Sequence, residues 1–135
     1  MCGISGIYSI RKKTSELDIL CKKMIDKIIY RGPDEQLIRS HKNFSGGVAR
    51  LAIESIETSQ QPVENEKYIL GFNGEIFNYK DLIKKYNLSK SIINSEAKLL
   101  LKLFEIKTNL FVEELSGQFA IFIYDKQTEE IYLFR

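Results

Sequence analysis

Strand-like runs open and close this chain, with helix-period runs and further strand-like runs in turn between them, and that order constrains the fold more than any other feature. Residues 4–10 are rich in β-branched side chains, and further strands are expected at 36–40, 46–53 and 67–72. Two aromatic strands, 118–124 and 131–134, close the chain across a polar loop at 125–130. Strands, then helices, then strands with hairpin-like connections predict an α+β fold with largely antiparallel sheet. At 135 residues one domain is expected, burying about two thirds of its unfolded surface. The run from Ile131 to Arg135 reads as a strand with no turn behind it. An apolar terminal strand is an exposed edge unless another pairs with it, so the domain is expected to be cut short at its C-terminal end.

The helices have their own signals. Ser15 with Asp18 three residues on reads as a capping box, and Leu17, Leu20, Cys21, Met24, Ile25 and Ile28 then recur at helical steps as far as Tyr30. Cys21 falls on that apolar face as a small core residue. Arg31-Gly32-Pro33-Asp34 breaks the helix, because the residue before a proline is pushed out of helical conformation. Asn78 is a candidate cap for a helix burying Tyr79, Leu82, Ile83 and Tyr86. Ser95 is a candidate cap for another that buries Ala97, Leu100, Leu101 and Phe104, and a helical turn is expected near 111–115.

Chemistry enters at Cys2, which opens the run Cys2-Gly3-Ile4-Ser5-Gly6-Ile7. Removal of Met1 puts a thiol and a free α-amine on one carbon. A thiol is mostly protonated at neutral pH and needs a base to become a nucleophile. A terminal amine with a pKa near ~8 can take that proton directly or through one water. The competing reading is a small residue that exposes the start to processing.

Asn73-Gly74 is a strong turn signal, and an ordinary tight turn is one reading of it. Beside a thiol nucleophile the run gains another. Attack on a carbonyl creates an oxyanion that fixed donors must stabilise. The Asn73 amide and the Gly74 N–H are suitable donors, and Glu75 can accept from a substrate ammonium. Arg50, in an otherwise apolar strand that continues through Leu51 to Ile53, needs an anionic partner. That partner is either a structural carboxylate or the carboxylate of a ligand. Arg31 and Asp34 either pair with each other or brace the site, and bracing is favoured. Glu96 at a helix start is either a cap or a ligand contact.

Other classes find little support. The net charge of +2, with lysines spread along the chain, calls for neither nucleic acid nor an anionic membrane. No apolar run is long enough to span a bilayer, and the start lacks the features of a secretory signal. Two cysteines make a poor disulfide framework, so a reducing cytoplasm is the default. His41 reads as a loop-surface residue rather than a partner for Cys2. Cys2, Cys21 and His41 lack zinc-ligand spacing, so no metal site is expected, and neither GxxxxGK[ST] nor GxGxxG occurs.

Taken together, Cys2-Gly3-Ile4, Arg31-Gly32-Pro33-Asp34, Arg50-Leu51-Ala52-Ile53, Gln61-Pro62, Asn73-Gly74-Glu75-Ile76-Phe77-Asn78 and Gly117-Gln118-Phe119-Ala120 resemble class II glutamine amidotransferase domains in content and order. The nearest likeness is to the N-terminal glutaminase domain of glutamine-hydrolysing asparagine synthetases, and it covers nearly the whole chain. The resemblance implies a four-layer αββα N-terminal-nucleophile hydrolase sandwich with antiparallel sheets. It implies hydrolysis of L-glutamine to L-glutamate and ammonia through a Cys2 γ-glutamyl thioester, with Asn73 and Gly74 holding the oxyanion. Arg50 would grip the substrate α-carboxylate, backbone groups around Leu51 and Ile53 would line the pocket, and Glu75 and Glu96 would face the α-ammonium. Ammonia would pass to a synthetase domain or a separate chain. No cofactor is expected in residues 1–135, since ATP and Mg²⁺ would belong to the absent synthetase domain. The family places Asp at Glu96 and a carboxylate at Lys98. Two alternatives stand beside this reading: a catalytically weak or inactive remnant that binds glutamine or docks, and a sibling amidotransferase serving a sugar or antibiotic-type acceptor.

Overall fold

The computed structural model describes residues 2–52, 60–89 and 93–135. The chain runs β1 (Gly3–Tyr8), α1 (Thr14–Lys27), a 3-10 turn (Ile29–Arg31), β2 (Glu35–His41), β3 (Phe44–Arg50), β4 (Val63–Glu64), β5 (Tyr68–Ile76), α2 (Tyr79–Lys85), α3 (Glu96–Lys107), a 3-10 segment (Thr108–Glu114), β6 (Gly117–Asp125) and β7 (Ile131–Phe134). Strands β1, β3 and β2 form one antiparallel sheet in that order, and β4, β5, β6 and β7 form a second. The fold is α+β, with the αββα layering of an N-terminal-nucleophile hydrolase.

Strand alternation sorts side chains into three apolar layers. On the outer face of the first sheet Ala49 meets Cys21 and Ile25 of α1, with Ile7, Ile28 and Ile38 packed around them. Burial pushes the Cys21 thiol pKa up, against the smaller opposing effect of hydrogen bonds with Ser45 and Ser5. Between the sheets Phe44, Ile69, Phe122 and Tyr124 form the second layer, with Ile4 packed against it. Phe44 stacks on Tyr124 with centroids 4.6 Å apart and meets Phe122 edge-on at 5.6 Å. On the far face of the second sheet Leu70, Phe72, Ile76, Ile121 and Ile123 pack against α2 and α3. Each fully buried aliphatic side chain there contributes about 1.5–3 kcal/mol.

Several element boundaries depart from the sequence reading, each for a local reason. Helix α1 starts one residue before Ser15: Lys13 is its cap position, and the Lys13 N–H donates to Glu16 Oε2 at 3.0 Å. Asp18 is drawn away to accept from Ser45 at 2.8 Å and from Ser40 at 3.3 Å. The helix proper stops at Lys27, and Met24 is exposed. Asn78 precedes α2 without capping it, because its amide bridges the Glu114 carbonyl and the Ser116 N–H instead. Ser95 does cap α3, accepting from Lys98 N–H at 3.3 Å. Leu99 and Leu103 are buried as well as the four positions expected, since α3 lies between the second sheet and the surrounding helical segments. Strand β1 ends at Tyr8 and β3 at Arg50, both earlier than expected. His41 belongs to the end of β2, opposite Phe44, and not to a loop.

Candidate active site

The same alternation that builds the inter-sheet core places polar groups at one end of it. Cys2 precedes β1 on the side of Ile4, Arg50 ends β3 on the side of Phe44, and Asn73 and Glu75 follow Ile69 at two-residue steps along β5. These positions converge on a cleft of about 620 Å³ lined by Cys2, Arg50, Leu51, Gln61, Phe72 to Phe77, Tyr79, Lys80, Asn94 to Ala97 and Gln118. The cleft gathers all the sequence-predicted nucleophile, oxyanion and substrate residues except Ile53, which lies outside the described residues.

Cys2 is partly exposed, and its sulfur is 3.9 Å from the Leu51 carbonyl. Its backbone is held from behind: Arg31 Nε donates to the Cys2 carbonyl at 3.1 Å. Asp34 fastens the segment after β3, donating its N–H to the Arg50 carbonyl at 3.1 Å and accepting the Ala52 N–H at 2.7 Å. Arg31 and Asp34 thus each bind backbone that leads into the cleft. Gly32 between them lies so close to β3 that a Cβ would sit 2.2 Å from the Ala49 carbonyl oxygen, which excludes any larger residue at the bend.

Arg50 is 4% exposed, and its Nη1 donates to Glu35 Oε2 at 3.1 Å. Glu35 faces it directly in the β2–β3 ladder and also accepts from Gln60 at 3.2 Å. Of the two partners left open by the sequence, the structural carboxylate is therefore present, while Arg50 also lines the cleft. A nearly buried guanidinium fixed by a cross-strand carboxylate is pre-aimed, because its fork loses little freedom on meeting a second anion.

Asn73 and Gly74 are not a turn. Strand β5 runs through them to Ile76, with Asn73 opposite Ala120 and Gly74 opposite Phe119. Gly74 has φ +149°, and a Cβ there would sit 2.1 Å from the Gln118 carbonyl oxygen, so the residue type is fixed by backbone and space together. The outer edge of β5 is held here by side chains rather than by a strand. Phe72 N–H donates to Gln61 Oε1 at 2.9 Å, and Ile76 N–H donates to Glu96 Oε1 at 2.6 Å. Backbone N–H groups alternate along a strand, so Gly74 N–H is turned to the same edge, between these two holds and toward the cleft. Asn73 Oδ1 is buried without a partner among the described residues, and Asn73 lines the cleft.

Sequence reasoning did not single out Glu35, and it used Gln61 and Gln118 only as parts of motifs. The β2–β3 register would have exposed Glu35, but it depends on the Lys42-Asn43 turn, whose position the sequence did not settle. Among the described residues no three His, Cys, Asp or Glu side chains gather as a metal site, and no helix is long and apolar enough to cross a membrane.

A partly exposed thiol at one end of two antiparallel sheets flanked by helices fits the architecture of an N-terminal-nucleophile hydrolase. Comparison with known proteins names the family: the pattern of the glutamine amidotransferase domain matches residues 1–135, and the chain belongs to that family. It is 34% identical over 140 residues to asparagine synthetase (glutamine-hydrolyzing) 2 of Bacillus subtilis, an alignment covering 100% of this chain and 19% of that protein. It is 33% identical to putative asparagine synthetase (glutamine-hydrolyzing) 2 of Methanocaldococcus jannaschii, over 100% of this chain and 30% of that protein. Asparagine synthetase B (glutamine-hydrolyzing) of Escherichia coli is 29% identical over 96% of this chain and 24% of its own length. The chain therefore spans less than a third of each of these relatives.

Proposed function

We propose that this chain is a glutaminase domain that hydrolyses L-glutamine to L-glutamate and ammonia, and that the ammonia serves a synthetase domain or a separate chain making asparagine. The observation that carries this reading is the convergence of Cys2, Arg50, Asn73, Gly74, Glu75 and Glu96 on one cleft from separate elements. Removal of Met1 frees the Cys2 α-amine, which takes the thiol proton as sulfur attacks the substrate Cδ. Asn73 Nδ2 and Gly74 N–H hold the oxyanion that forms. As the C–N bond breaks, the α-ammonium returns its proton to the departing ammonia, leaving a γ-glutamyl thioester. Water then attacks the thioester carbonyl, giving its proton to the amine. Collapse releases glutamate and restores the thiol.

Substrate recognition follows the charges around that centre. Arg50 meets the α-carboxylate, Glu75 and Glu96 face the α-ammonium, and backbone near Leu51 and Ile53 lines the side chain's path. Arg31 and Asp34 keep the Cys2 and Ala52 backbones in place through the bonds described above. The chemistry needs neither metal nor nucleotide in this domain; ATP and Mg²⁺ belong to acceptor activation elsewhere. The setting proposed is cytoplasmic, with both cysteines free, as they are here.

The test is ammonia release from L-glutamine by the protein after intact-mass proof that Met1 is gone. Supporting results are stoichiometric glutamate and a trapped adduct on Cys2 with the mass of a γ-glutamyl group. Glutamine binding by calorimetry with no ammonia would replace the enzyme with a binding module.

A further inference from the structure

We infer that Gln61 is a positioning residue for the reaction proposed above: its side-chain oxygen stands in for a missing strand and fixes the stretch of β5 that carries Asn73, Gly74 and Glu75. Strand β4 contributes only Val63 and Glu64, opposite Leu70 and Ile69. Extending that register brings position 61 opposite Phe72, where strand pairing has already stopped. The Phe72 N–H still has an acceptor there, but it is Gln61 Oε1 at 2.9 Å and not a main-chain carbonyl. Both residues are buried, so an N–H left without that oxygen would have no water to turn to.

The position of this bond is what makes it more than a structural detail. On its inner edge β5 is paired with β6 through the whole run from Tyr68 to Ile76. On its outer edge, past the β4 pairing at Ile69 and Leu70, the stretch Phe72–Ile76 is held among the described residues at its two ends, by Gln61 on Phe72 and by Glu96 on Ile76. A main-chain partner along that edge would occupy Gly74 N–H, the donor proposed to meet the oxyanion. Two side-chain holds four residues apart keep the strand straight and leave the N–H between them open to the cleft. A carboxamide is suited to this place because it presents an acceptor at the end of a flexible stem without adding charge next to a developing oxyanion. The inference rests on the glutaminase reading for its catalytic consequence and on geometry alone for the hold itself.

The experiment compares wild type, Gln61→Leu and Gln61→Glu as Met1-processed full chains, by amide hydrogen exchange across Tyr68–Ile76 and by steady-state ammonia release. The leucine variant is expected to exchange at Phe72 at least about 10-fold faster. Its kcat is expected to fall about 10–100-fold with KM within about threefold, since donors are displaced while Arg50 is not. The glutamate variant keeps an acceptor oxygen at the same reach, so it should regain exchange protection and a kcat above that of the leucine variant. Wild-type exchange and kcat in the leucine variant would overturn the inference. So would a raised KM at unchanged kcat, which would make Gln61 a substrate contact. A glutamate variant that exchanges like the leucine variant would also overturn it. Should wild type release no ammonia, the glutaminase reading fails, and the exchange comparison still decides whether Gln61 holds β5.

Discussion

The two ends of the inter-sheet layer are built from the same strands and from side chains on the same faces, yet one is closed and the other is a cleft. At the closed end Phe44, Phe122 and Tyr124 fill the space with stacked and edge-on rings. Beyond them Lys42 and Asn43, between β2 and β3, donate to Glu129 at 2.7 and 2.8 Å. At the open end the corresponding positions are Cys2, Arg50, Asn73 and Glu75, which are short or polar and cannot fill the space. A cleft of this kind needs no separate loop architecture. It is what remains when a packed layer runs out of large apolar side chains and the backbone on either side is still held rigid.

If that contrast is right, substitutions at the two ends separate activity from stability. The largest effect is expected from Cys2→Ala, which removes the nucleophile from a partly exposed position. Ammonia release should fall at least about 1,000-fold, the scale seen when a catalytic nucleophile is removed, with the thermal midpoint nearly unchanged. Residual activity near wild type would break the thioester mechanism and with it the meaning given to the open end. Phe44→Ala is the mirror experiment at the closed end. It empties the centre of the ring stack and should cost about 3–5 kcal/mol in denaturant unfolding, with kcat per folded molecule retained. A loss of kcat without a loss of stability would show that the two ends are not independent.

Arg50 joins both behaviours, and Arg50→Lys measures how they mix. The lysine keeps the charge beside Glu35 but loses the fork. KM for glutamine is expected to rise about 10-fold or more, about 1.4 kcal/mol of binding, with little change in kcat. An unchanged KM would assign Arg50 to Glu35 alone and leave the α-carboxylate without its proposed partner.

Much of this contrast was legible before any coordinates. The helical period of Leu17, Cys21 and Ile25, the Ser95 cap and the strands flanking the helices follow from local chemistry, and all appear in the fold. The site residues were legible as an ordered set of short motifs, because each motif carries an unusual residue at a fixed place. What could not be read was pairing. Asn73-Gly74 looks like a hairpin turn on local propensity, and only β6 running alongside makes it a strand interior. His41 likewise joins β2 only because Phe44 sits opposite. The bond from Phe72 to Gln61 depends on where β4 stops, a fact about two strands that neither strand's sequence contains.

The smallest effect concerns Tyr124, the group at the closed end that fits it least well. Its ring is fully buried against Phe44, but its hydroxyl has no partner among the described residues. Burial, reinforced by the negative charge of Glu129, pushes its pKa from the usual 10 up to about 12. The neutral phenol is thus favoured by folding: the associated stability is fully present below about pH 10 and is lost as pH rises through about 12. Tyr124→Phe removes both the unpaired hydroxyl and that titration while keeping the stack. Its unfolding free energy at neutral pH should be equal to wild type or higher by about 1 kcal/mol. Its alkaline loss of stability between pH 10 and 12 should be shallower. A variant less stable than wild type by more than about 1 kcal/mol would mean that the hydroxyl is satisfied in solution. The closed end would then hold a buried polar contact of its own, and the division between a dry, filled end and a polar, open one would be weaker than the geometry indicates.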